Sequence, residues 1–182
     1  MKESSPPSYG FTLLELLTVI AIIGLLAGIL FPVINGARRS GLQAKSKTQF
    51  AQWKTAIESY RQEYGYYPFT QGSGDNLFQI NESGNRELFE EVLNGSNRTF
   101  NRRGIPFYRL SENDLEEPAR YGSNIIDAFG NTDLAILIDA DLDGRIVVDG
   151  FEIKSSVEVI AHENEALGFP RITTWVESDQ RN

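Results

Sequence analysis

The sequence predicts an α+β protein, a long N-terminal helix whose outer half lies on a small antiparallel β-sheet. Three features predict it. Leu16–Ile34 carries no charge, and only Thr18 in it is clearly polar. Phe50, Trp53, Ile57, Tyr60 and Tyr64 recur at spacings of 3, 4, 3 and 4, a single stripe along a helix face. The C-terminal third then holds short runs rich in β-branched residues, separated by turn residues.

The apolar run comes first along the chain. Its nineteen residues make a helix of about 28 Å, close to the hydrocarbon thickness of a bilayer. Glu15 sits one residue before it. An acid at full membrane depth costs several kcal/mol, so it normally has a partner or a task. Gly24 and Gly28 are spaced for close packing of a second helix. Pro32 removes one helix hydrogen bond and can kink or locally melt the run near its far end. Asn35, Gly36, Ser40 and Gly41 form a weak junction where a bend is expected. Beyond it the aromatic stripe extends the helix to Tyr64; from Phe11 that is about 80 Å.

Gly65 and Pro68 end this helix, with glycine just past the last apolar position and proline soon after. Residues 70–86, rich in Gly, Ser and Asn, read as a loop. A short helix is expected around Arg86–Asn94, where Leu88/Val92 and Phe89/Leu93 are i,i+4 pairs and Gly95 can cap. Arg98, Arg102 and Arg103 make the next segment basic. Ile105–Leu110 is a candidate strand that Pro106 confines to a sheet edge. Further strands are expected at Asp133–Asp139, Arg145–Val148, Lys154–Ala161 and Arg171–Val176.

Asp139-x-Asp141-x-Asp143-Gly144 is the constellation best suited to a metal. Alternate acids bring hard oxygens to one point, and the glycine allows the tight turn that calcium loops need. The twelfth position of such a loop is Gly150 rather than a bidentate Glu, with Asp149 or Glu152 as substitutes. The competing reading is a β-hairpin with an Asp-Gly turn whose acids are solvated.

Composition removes several function classes. The net charge of the 182 residues is −8, which disfavours nonspecific binding to nucleic acid. There is no Cys and a single His, His162, so thiol chemistry, disulfides and zinc spacings are absent. No Gly-rich phosphate loop followed by Lys-Ser/Thr occurs. An enzyme is not expected.

Gly10-Phe11-Thr12-Leu13-Leu14-Glu15-Leu16-Leu17 resembles the type III signal of type IV pilins and type II secretion pseudopilins. The resemblance covers residues 10 to about 64. It implies cleavage after Gly10 by a prepilin peptidase and methylation of Phe11 as the new N-terminus. Residues 1–10 would then be a leader, 11–34 a transmembrane and filament-core helix, 35–64 the outer half of that helix, and 65–182 a periplasmic head. Pro32 stands where the family commonly has a proline, and Tyr64-Gly65-x-Tyr67-Pro68 resembles the major pseudopilin pattern. Asp127, Gly130 and Asn131 match a family turn before a strand, whereas Ala128 and Phe129 depart from it. Tyr9 stands where a basic residue is common, and Lys2 is offset by Glu3.

The resemblance also implies a function. The mature chain would polymerise with copies of itself or related subunits, driven by an assembly platform protein and an ATPase. Glu15, poorly matched in a lone subunit, would meet the Phe11 amine of a neighbour. The preferred reading is a type II secretion pseudopilin in the inner membrane; calcium-binding loops occur in the major pseudopilins. The alternatives are a type IV pilin, major or minor, and a tethered module that binds a ligand through Asp139–Asp143 and Arg98–Arg103 without polymerising. One feature runs against the implied orientation: Arg38, Arg39, Lys45 and Lys47 follow the apolar run on the side the family places outside.

Overall fold

A computed structural model describes residues 12–70, 74–148 and 151–174. The chain forms two compact units, Met1–Gly41 and Leu42–Asn182. Helix α1 runs from Leu13 to Tyr64. It stays helical through Pro32 and the glycines at 36 and 41.

In the first unit the apolar residues find no cover among the described residues. Every described side chain from Leu16 to Ile34 is exposed except Ala27, which is half-buried. A Cβ added at Gly24 or Gly28 would meet nothing within 4 Å.

The second unit has the expected core. Phe50, Trp53, Ile57 and Tyr60 of α1 are fully buried against one face of a four-stranded antiparallel sheet. The strands are β1 Asn76–Gln79, β2 Leu134–Ile138, β5 Val157–Ala161 and β6 Ile172–Thr173, in the order β1-β2-β5-β6. Leu134, Ile136, Ile138, Val157, Val159 and Ala161 supply that face. A separate hairpin, β3 Ile146–Val148 with β4 Phe151–Ile153, buries Ile146 and Ile153 against Leu137 and Leu77. The sheet is therefore covered on two sides, which explains why β2 reads as an unbroken apolar run and not as an alternation. A short helix α2, Asn85–Asn94, adds Phe89, Val92 and Leu93 to the core. It ends at Gly95 with φ 86°. A Cβ there would lie 2.7 Å from the Gly104 backbone, so the close approach of the two segments requires glycine.

Three sequence expectations are corrected. Residues 76–79 were expected within a loop but form β1, pairing Asn76 with Ile138 through Gln79 with Ala135. Four residues are too few for a periodic signal, and long-range pairing decides their state. Ile105–Leu110 is not a strand; the Phe107 and Tyr108 amides both donate to the Leu93 carbonyl, fastening this segment to the end of α2. The hairpin with its turn at Asp139–Gly144 does not form either, because β2 pairs with β1 and β5 while β3 pairs with β4. The run expected at Lys154–Ala161 begins as a strand only at Val157. The run expected at Arg171–Val176 yields β6 at Ile172–Thr173, and Trp175 and Val176 lie outside the described residues.

Polar ties fix α1 to the loops and the sheet. Lys54 pairs with Glu158 at 2.8 Å, and Glu158 also accepts from the Thr174 hydroxyl. Breaking such a pair from one side strands a buried charge, at a cost of about 3–5 kcal/mol. Gln49 donates to Asp114 and to the Ile126 carbonyl, both at 2.9 Å. Tyr108 donates to the same Asp114 at 3.1 Å; burial and the Asp114 charge push its phenol up to about 12. Asp127, 1 % exposed, accepts from the Phe129 and Asn131 amides at 2.8 and 2.9 Å and from Ser46 of α1 at 3.2 Å. The Asn131 amide group in turn donates to the His162 carbonyl at 2.8 Å, holding this turn beside the end of β5. The family-like Asp127, Gly130 and Asn131 thus shape one turn between α1 and the sheet.

Burial pushes the Asp127 carboxyl above the usual carboxylate range, although the amide hydrogen bonds oppose the shift. A carboxyl raised in the folded state binds its proton more tightly there than in the unfolded chain. Its contribution to stability is therefore fully present below the unfolded pKa and is lost as pH rises through the folded one. Asp127→Asn keeps an acceptor for both amides and removes the titration. Urea unfolding at a series of pH values should show the wild type gaining stability relative to Asp127→Asn as pH falls through the folded pKa. A flat difference, or one of opposite slope, would contradict this assignment.

Candidate functional site

Two regions collect the residues singled out by the sequence. The first is the start of α1. Gly10 and Phe11 lie outside the described residues. Thr12 and Glu15 make a reciprocal cap: the Thr12 amide and hydroxyl both donate to Glu15 Oε2 at 2.8 Å, and the Glu15 amide donates to the Thr12 hydroxyl at 3.2 Å. Helix starts leave their first amides without intrahelical partners, and this arrangement satisfies two donors. Thr12 thus gives Glu15 a local hydrogen-bond partner but no opposite charge. Its Oε2 is held by Thr12, while Oε1 has no partner among the described residues. The signal was legible, since Thr-x-x-Glu before an apolar run is a capping-box pattern. Gly24, Gly28 and Pro32 lie further along the same helix, and a Cβ at either glycine would meet nothing within 4 Å.

The second region is the loop between β2 and β3. Asp139 is 2 % exposed; it accepts from the Leu142 amide at 2.7 Å and the Gly144 amide at 3.0 Å, drawing the loop into a tight coil around its carboxylate. Leu142 and Gly144 both take positive φ, 66° and 86°, which is sterically open to glycine and unfavourable for leucine. Carboxylate oxygens of Asp139, Asp141 and Asp75 lie within 4.8 Å of one another. Asp143 is not in this group; its carboxylate accepts from the Arg145 amide at 2.8 Å.

Asp75 enters from the segment before β1. One of its oxygens accepts from the Val147 amide, and the other, Oδ1, is buried without a hydrogen-bond partner. Nothing in the local sequence around Asp75 signals this role; the β1–β2 pairing delivers it from 64 positions away. An orphaned, buried carboxylate oxygen facing two other acids suits a hard cation, which prefers several such oxygens.

The basic segment does not gather into one site. Arg103 pairs with Glu63 of α1, and the Arg98 guanidinium packs over Gly104. His162 bonds Asp133 at 2.9 Å at the surface.

Comparison with known proteins bears on the first region. The prokaryotic N-terminal methylation motif matches residues 7–31. A type II secretion system core protein G of Aeromonas hydrophila is 34 % identical over 68 residues, which cover 37 % of this chain and 48 % of that protein. The protein of the same name from Escherichia coli strain K12 is 31 % identical over 70 residues, 38 % of this chain and 48 % of the relative. The pilin-like protein PilA1 of Thermus thermophilus is 33 % identical over 79 residues, 42 % of this chain and 51 % of the relative. The chain thus matches about half the length of these relatives. No solved structure matches it. These relatives are named as secretion and pilin proteins, not as enzymes. In its methylation motif and in the stretch these relatives share, the chain is similar to type IV pilins and type II secretion pseudopilins.

Proposed function

We propose that this chain is a filament subunit of a type II secretion pseudopilus, processed by a prepilin peptidase between Gly10 and Phe11. The observation that carries the reading is the methylation motif joined to an apolar helix that the described residues leave bare. Such a surface needs a bilayer before assembly and other subunits after it. The core protein G relatives favour the secretion system. The PilA1 relative favours a second reading, a type IV pilin. In either case the head faces the periplasm, and an assembly platform protein and its ATPase drive incorporation from the inner membrane.

Cleavage gives Phe11 a positive amine, still basic when methylated. The Thr12 cap holds one Glu15 oxygen and leaves the other open to the amine of a second copy. Attraction between the two grows as water is excluded, and desolvation offsets part of it. The pair therefore acts mainly on register, since a misplaced subunit leaves a charge unmatched. Gly24 and Gly28 let helices approach closely, and Pro32 weakens the ladder where a subunit leaves the bilayer. An unmatched buried charge costs about 3–5 kcal/mol, so Glu15→Ala should cut fibre yield by an order of magnitude or more. Immunoblots of sheared fibres and of the membrane fraction read the two steps separately. Normal cleavage with few fibres is the expected result; wild-type fibre yield would remove the proposed role of Glu15.

Calcium would be held by Asp139, Asp141 and Asp75, with Asp143 shaping the loop. When bound it supplies charge that relieves repulsion among the acids, and it ties the β2–β3 loop to the segment before β1. At one-hundredfold excess over Kd, a ligand of the folded state adds about 2.7 kcal/mol, or roughly 5–10 °C in Tm for a chain of this size. Thermal unfolding in calcium, magnesium or chelator should show that rise with calcium, and much less of it in Asp75→Asn. No calcium-dependent shift, or an equal one in the variant, would argue against this ligand set.

A further inference from the structure

Five cations follow the apolar run before any acid does, and the first four stand apart from the fifth. Between Glu15 and Glu58 the sequence holds no Asp or Glu, while Arg38, Arg39, Lys45 and Lys47 fall in that interval. All four are exposed, and none has an ion-pair partner among the described residues. The next cation, Lys54, is different: Glu158 neutralises it at 2.8 Å. The chain has acid to spare at −8, yet none of it is spent here. Cations on the non-cytoplasmic flank of a membrane helix also oppose the preferred insertion, so their retention calls for a compensating interaction.

We infer that Arg38 and Arg39 dock on the headgroups of anionic phospholipids, with Lys45 and Lys47 adding to the attraction. The inference rests on the membrane reading above. Arg38 and Arg39 lie four and five residues beyond Ile34, about 6–8 Å along the helix axis. That is the depth of the headgroup layer outside the hydrocarbon. Their neighbouring positions on α1 turn the two guanidiniums to different sides, so they take separate phosphates rather than compete for one. Guanidinium meets a phosphate with paired parallel hydrogen bonds. Long stems also let the side chains reach headgroups while their methylenes stay near the acyl boundary. The contact holds the helix at a fixed depth until a subunit is withdrawn. It therefore adds a charge-dependent barrier to extraction from the bilayer.

The test uses the full chain in nanodiscs made with equal amounts of phosphatidylglycerol and phosphatidylcholine. Native mass spectrometry after gentle release counts the lipids that remain bound. Each cation near an anionic surface favours binding roughly fivefold. Bound phosphatidylglycerol should exceed phosphatidylcholine by at least that factor in the wild type. The ratio should fall towards one in Arg38→Gln/Arg39→Gln and on raising salt, because exposed charges are screened. Arg102→Gln, an exposed cation of the head, should leave it unchanged. A wild-type ratio of one, or enrichment that survives in Arg38→Gln/Arg39→Gln, would overturn the proposal. So would loss of chain-to-chain crosslinking by that variant in discs of phosphatidylcholine alone without any lipid preference; the cations would then serve an acidic face of a second copy. Vesicle flotation separates this from failure of the membrane reading, since a chain that floats with neither lipid removes both.

Discussion

The structure depends on one constraint: the large apolar side chains described between Leu16 and Ile34 have nothing among the described residues to bury against. Leu14, Leu25 and Phe31 are each about two-thirds exposed or more. Burying one such side chain is worth about 1.5–3 kcal/mol, so leaving more than a dozen in water would far exceed the stability of a domain this size. The apolar helix therefore has to be solvated by lipid or by other helices. Its polar features, the Thr12–Glu15 cap at one end and the arginines at the other, sit at its margins.

The head meets a different constraint, which is to hold a helix that has an external partner to satisfy. It does so with a dense aromatic core. Trp53 packs against Phe50 at 5.4 Å and edge-on to Phe89 at 5.4 Å, and Tyr60 lies edge-on to Phe107 at 5.5 Å. Around this core, Gln49, Ser46 and Lys54 reach from α1 to the 111–131 loops and to β5. Apolar burial supplies the stabilisation, and the buried polar ties fix the register of α1 against the loops. The acidic β2–β3 loop lies outside this core and is coiled by its own backbone amides around Asp139.

Long-period features were legible in the sequence and long-range ones were not. The aromatic stripe ran through Phe50, Trp53, Ile57, Tyr60 and Tyr64; the first four are fully buried and Tyr64 is half-buried against the same core. The i,i+4 pairs of α2 and its glycine stop were equally plain. By contrast, β1 is four residues inside a Gly/Ser/Asn-rich stretch, and only pairing with β2 makes it a strand. Ile105–Leu110 had strand composition, but its amides were taken by Leu93 at the end of α2. Asp139 and Asp141 were visible through their spacing, whereas Asp75 joined them through sheet pairing that no local pattern encodes. Thr12 was readable as a cap and gained meaning once its hydroxyl was seen on Glu15.

The central claim is that this helix is made for processing and polymerisation. It is tested most directly by the mature N-terminus, determined by mass spectrometry of membrane-extracted protein from cells with and without a prepilin peptidase. The account predicts a chain beginning at methylated Phe11, present only with the peptidase. A chain that still begins at Met1 in both strains would contradict it and leave a static membrane anchor carrying a binding head.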